Sequence, residues 1–87
     1  MLIIYTSQFK KDYKLAKKQG KDIEKLFKVI DILSNNKKLD KIYDDHCLNG
    51  IFKKHRECHI SPDWLLIYKI ENDNLILIRL GSHSELF

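Results

Sequence analysis

Only three glycines, one proline and two cysteines occur among the 87 residues, and each scarcity closes a class of function. Gly20, Gly50 and Gly81 stand far apart, so no glycine-rich loop is available to cradle a nucleotide's phosphates. Cys47 and Cys58 form no CxxC pair and are too few for a disulfide framework, so both are expected to be reduced thiols. Neither HExxH nor another tight ligand spacing is present, and there is no serine-nucleophile elbow. No stretch approaches the roughly 20 apolar residues of a membrane span, and "MLIIYTSQF" lacks the basic start and long apolar centre of a signal peptide. A cytoplasmic protein with no membrane partner is the expectation. The length suits one domain over residues 1–87.

Charge is what the chain has in quantity. The formal net charge is +4, but up to Tyr43 there are 11 lysines against 5 acids, and from Asp44 onward 5 basic residues against 7 acids. The basic excess lies in the first half, where it suits a polyanion or an acidic protein, or simply solvates a helix face.

"LIIY" at residues 2–5 is short, β-branched and aromatic, a strand signal. Thr6 or Ser7 can cap a helix whose Phe9, Tyr13 and Ala16 share a face, and Gly20 ends it. A second helix over residues 22–34 carries the stripe Ile23, Leu26, Phe27, Ile30, Leu33. The aperiodic, Asn- and Asp-rich segment after it reads as a loop. Strands are then expected over 51–60, 64–70 and 75–80, joined by short turns into an antiparallel meander. The order β-α-α-β-β-β predicts an α+β domain, a twisted antiparallel sheet with an N-terminal two-helix hairpin on one face. Alternation puts Lys53, His55, Glu57 and His59 on one side of their strand, and Arg79 on the side of Leu75 and Leu77.

The residues able to carry chemistry are His46, His59, Asp63, Arg79 and His83, with Trp64 and Phe87 as aromatic companions. Two histidines and a carboxylate suit a metal, but no ligand spacing supports one. A Cys58 nucleophile is disfavoured because Cys58 and His59, adjacent on a strand, point to opposite faces. Two readings stay open on residue types alone: the four histidines are ordinary surface or core residues, or they serve RNA cleavage by general acid and base, in which histidine exchanges protons near neutrality, arginine grips a phosphate, and aromatic rings stack on bases.

Three ordered segments carry a resemblance. "DHCLNG", "RECHISPDWLLIY" and the terminal "RLGSHSELF" are similar to the motifs of the YafQ-type branch of the RelE toxin superfamily, the toxins of bacterial type II toxin–antitoxin modules. The likeness is close from Asp45 to Phe87. It implies a RelE-like fold and an endoribonuclease that needs no metal or other cofactor, cuts mRNA on the 70S ribosome and so inhibits translation. It also implies an antitoxin partner that blocks the site, and operator DNA bound only through that antitoxin. By this resemblance His83 is the proton donor, His59 or His46 the base, and Asp63 the acid that orients an imidazole or contacts RNA. Arg79 is the phosphate ligand, Phe87 positions a base, and Lys53, Lys54 and Trp64 contact RNA. The competing expectation is an inactive binding protein of the same fold, acting as corepressor with its antitoxin. "FKKH" at 52–55 replaces a Trp-containing stretch of the family, and Glu57 fits either a catalytic support or a structural ion pair.

Overall fold

The computed structural model describes residues 1–50 and 54–87. The chain forms β1 (Leu2–Tyr5), α1 (Ser7–Lys18), α2 (Ile23–Ser34), a 3-10 turn (Lys41–Tyr43), β2 (His46–Cys47), β3 (Arg56–Ser61), β4 (Trp64–Glu71), β5 (Asn74–Gly81) and α3 (His83–Leu86). Among the described residues, no helix is long and apolar enough to cross a membrane.

α1 begins where expected. Thr6 is its N-cap, its hydroxyl accepting from the Phe9 amide at 3.2 Å while donating to the Leu77 carbonyl at 2.7 Å. One side chain thus starts the helix and ties it to the last strand. From α1, Phe9 and Ala16 are buried, and from α2 Leu26, Val29, Ile30 and Leu33. Both helices cover one face of the sheet, meeting Cys58, Ile60, Trp64, Leu66, Tyr68, Leu75, Leu77 and Leu80. Phe27, expected in the stripe, lies half-exposed against Tyr13 instead.

The sheet order is β1-β5-β4-β3-β2. The β3-β4-β5 meander is antiparallel as expected, but β1 lies parallel to β5 at the edge, so the sheet is mixed. β2, in the segment read as loop, adds a two-residue strand against β3. The strand expected over 51–60 begins at Arg56; its first three residues, Lys53 among them, lie outside the described residues.

A bulge changes which face Arg79 occupies. Ile67 pairs with Arg79 but the next residue, Tyr68, pairs with Leu77, so β5 carries one extra residue there. Arg79 therefore shares the face of Ile67, opposite to Leu75 and Leu77; strict alternation across the bulge predicts the reverse.

The terminal segment is also more ordered than a turn. Ser82 caps α3 in a reciprocal capping box with Glu85, and Leu86 closes over Leu65 and Ile67 on the face that α1 and α2 leave open. Gly81 serves this packing rather than a sharp turn: a Cβ there would stand 3.1 Å from Glu85 Oε1 and 3.2 Å from Leu86 Cδ2.

Candidate active site

The open face collects the titratable side chains. His46, Glu57, Ile67 and Arg79 are successive cross-strand partners from β2 to β5, a row that shares one face. His59 lies two residues past Glu57 and so on the same side. Cys58 between them is fully buried in the opposite core, where burial pushes its thiol pKa up and leaves it inert as a nucleophile.

Asp45 fixes how His46 reaches this face. Its Oδ1 accepts from the Tyr68 hydroxyl at 2.7 Å and Arg56 Nε at 3.2 Å, pinning the loop to β3 and β4. Burial and the bond to Asp45 together raise the Tyr68 pKa, so the hydroxyl stays a donor. The following residue then enters β2 pointing the other way.

Glu57 is 3 % exposed and is shared by two imidazoles: Oε1 lies 3.5 Å from His46 Nε2 and 3.4 Å from His59 Nε2. Asp44 adds a second carboxylate 3.6 Å from His59 Nε2. The Asp44 carbonyl faces His46 Nδ1 at 2.7 Å, and since a carbonyl only accepts, that nitrogen carries a proton. The left-handed backbone of Asp44 (φ 45°) at the end of the 3-10 turn presents both its groups to the two rings.

His83 opens α3. Its amide donates to Asp63 Oδ1 at 3.1 Å, and Nδ1 lies 3.2 Å from the same oxygen. The carboxylate accepts only, so Nδ1–H points at Asp63 and Nε2 is left for chemistry. The rings run in series: His46 to His59 at 6.3 Å, His59 to His83 at 5.7 Å edge-on, His83 to the exposed Phe87 at 6.3 Å. Each end imidazole of the His59–His83 pair is thus backed by an acid, Glu57 on one side and Asp63 on the other.

The bond from the His83 amide, and then that from its ring, pull the Asp63 pKa below the ordinary carboxylate value. A lowered native pKa means stability that is complete above the unfolded-state value near 3.9 and is lost as pH falls through the lower native one. Carboxyl ¹³C shifts should show Asp63 titrating below about 3.9, and moving only part of the way back in His83→Ala, because the amide bond survives.

Of the expected residues, His46, His59, Asp63, His83 and Phe87 come together. Arg79 shares the row, and one edge of its guanidinium is engaged by α1, with Nε 2.8 Å from Asp12 Oδ2. Lys54 is exposed in the turn before β3 at φ 72°. Trp64 corrects the expectation of an RNA contact: it is 2 % exposed, on the helix side of the sheet, with no surface to offer a base. Glu57 stood outside the expected set, although its parity with His59 placed the two together. Asp44 had no signal in the sequence, because its contact depends on the loop's path.

Glu57, His59 and His83 also form a donor set whose ligand atoms lie within 4.8 Å of one another, a chemistry that suits a borderline metal ion.

Known proteins are similar over the full length. Residues 1–87 match the family described as the bacterial toxin of type II toxin–antitoxin system, YafQ. The mRNA interferase toxin YafQ of Escherichia coli K12 is 44% identical over 86 residues, 98% of this chain and 94% of that protein. The toxin in the crystal structure of the E. coli DinJ–YafQ complex superposes with a TM-score of 0.91 at 44% identity, covering 98% of this chain and 96% of that one. A metal-bound toxin from Helicobacter pylori superposes at 0.93 with 45% identity, covering 100% and 99%. With its imidazoles gathered on a RelE-like sheet and a match from first residue to last, the chain belongs to the YafQ family of type II toxin–antitoxin toxins.

Proposed function

We propose that the chain is an endoribonuclease that cuts mRNA on the 70S ribosome through attack of a ribose 2′-hydroxyl on the adjacent phosphorus. The observation that carries this reading is the His59–His83 pair, 5.7 Å apart and each beside a different carboxylate, Glu57 and Asp63. His59, held by Glu57 through Nε2, takes the 2′-hydroxyl proton. His83, held by Asp63 through Nδ1, gives a proton from Nε2 to the departing 5′-oxygen. His46 braces Glu57 from the other side and stands as the alternative base. Arg79 supplies positive charge to the phosphoryl oxygens, and Phe87, beside His83 and exposed, offers its ring to a base. Lys53 and Lys54 are assigned to the RNA backbone. The products are a 2′,3′-cyclic phosphate and a 5′-hydroxyl, and translation stops.

The E. coli relative's structure with the DinJ antitoxin supports an antitoxin as this chain's partner, with operator DNA reached through it. A metal ion would be held by Glu57, His59 and His83 and would supply positive charge beside the phosphate. It would also occupy imidazole lone pairs that the proton transfers need. Cleavage of mRNA in a translating ribosome system should therefore survive EDTA, with cyclic phosphate at the new 3′ end. Loss in EDTA restored by a divalent ion would make the metal a cofactor, and no cleavage at all would leave the corepressor reading.

A further inference from the structure

α1 buries an acid where its spacing calls for an apolar residue. Asp12 lies between Phe9 and Ala16 on the inward side of the helix and is 8 % exposed. A buried carboxylate is costly unless its oxygens are satisfied, and here both are fully used. Oδ2 accepts from Arg79 Nε at 2.8 Å and the Leu80 amide at 2.9 Å; Oδ1 accepts from Gln8 Nε2 at 3.1 Å and Arg79 Nη2 at 3.4 Å. β1 covers the edge of β5 only as far as Leu77, so the Leu80 amide beyond it would otherwise lack a strand partner. That bond explains an acceptor at the edge. It does not explain why the same carboxylate takes the side edge of Arg79, which starts on the open face in the row of Glu57 and His46.

We propose that Asp12 is a positioning residue for RNA cleavage, holding the Nε–Nη2 edge of Arg79 so that the Nη1–Nη2 edge is presented, fixed, to a phosphoryl group. The inference rests on the reading of Arg79 as the phosphate ligand. A guanidinium carries five N–H donors, of which Asp12 engages two. The remaining three include the pair at the tip, whose planar fork matches two phosphate oxygens. Unanchored, a long side chain samples many rotamers above the open face, and few of them aim that fork. With Asp12 saturated by four donors, the arginine has one orientation before substrate arrives, and the transition state gains its charge without reorganisation.

The test is a double-mutant cycle on ribosomal mRNA cleavage with Asp12→Asn, Arg79→Gln and the pair, each rate taken per folded molecule. Asp12→Asn should lower kcat about 10²-fold, the loss typical of an ångström-scale misplacement, with KM little changed. In the Arg79→Gln background it should cost nothing further. Should Asp12→Asn fail to fold, Asp12→Glu, which keeps the charge but shifts it by a methylene, carries the same expectation. A slow Arg79→Gln beside Asp12 variants with wild-type kcat, or losses that simply add, would make Asp12 a clamp between α1 and β5 and overturn the positioning role. An Arg79→Gln enzyme at wild-type rate would instead remove the phosphate reading, and the inference with it.

Discussion

His83→Ala should fold like the parent chain and cleave mRNA about 10²–10⁴ times more slowly, the range lost with a general acid or base. Folding is spared because the His83 side chain is 56 % exposed and touches only surface neighbours, the Asp63 carboxylate and the rings of His59 and Phe87 among them. The elements that hold α3 do not involve the imidazole: the Ser82–Glu85 capping box, the amide bond to Asp63, and Leu86 against Leu65 and Ile67. An exposed change of this kind leaves the packing of α3 in place. The measurements are a melting curve and a single-turnover cleavage assay. Wild-type cleavage by the folded variant would take the proton donor out of the mechanism.

On the proposed reading, the His59–His83 pair is what lets a sheet this small act on RNA. The proposed reaction needs two imidazoles around one phosphodiester, one to take a proton and one to give it. Here they come from distant parts of the chain, a strand interior and the start of a terminal helix. The Ser61–Trp64 turn carries Asp63 to the same end of the sheet, where it holds the His83 amide and ring at once. Glu57 is a different kind of support, buried and shared, so His46 and His59 are coupled through one oxygen.

The parts of this legible in the sequence were those set by local rules. The Thr6 cap, the two helices and the meander follow from capping chemistry, periodicity and turn residues. Glu57 and His59 follow from strand parity over two residues with no irregularity between them. What escaped depended on contacts distant in the chain or on single-residue irregularities. β1 was recognisable as a strand, but its place beside β5 is a pairing between the two ends of the chain. One extra residue near Ile78 reversed the face of Arg79, and strict alternation has no means of anticipating a bulge. Asp12 sits on the buried side of α1 because of a partner 67 residues away in the chain, which no local rule reveals. Ser82 and Glu85 spell a capping box, yet a four-residue helix offers too little periodicity to declare itself.

Trp64 separates packing from recognition most sharply, since a motif that lies beside catalytic residues invites the assumption that every aromatic in it meets RNA. The ring is 2 % exposed and packs with Leu66, Leu80 and the helical residues on the face away from the imidazoles. Trp64→Ala should therefore cost about 3–5 kcal/mol of unfolding free energy, as large-to-small changes in a packed core do. That is a large share of the roughly 5–15 kcal/mol a domain has in total, and urea unfolding will measure it. Trp64→Phe, which keeps most of the apolar volume, should lose less and should cleave mRNA at the parent rate per folded molecule. A base-stacking tryptophan would behave in the opposite way, with stability untouched by either change and cleavage weakened by both. The strand's pleat decides between these outcomes: Asp63 in the turn faces His83, and the next residue, the first of β4, turns its side chain into the core.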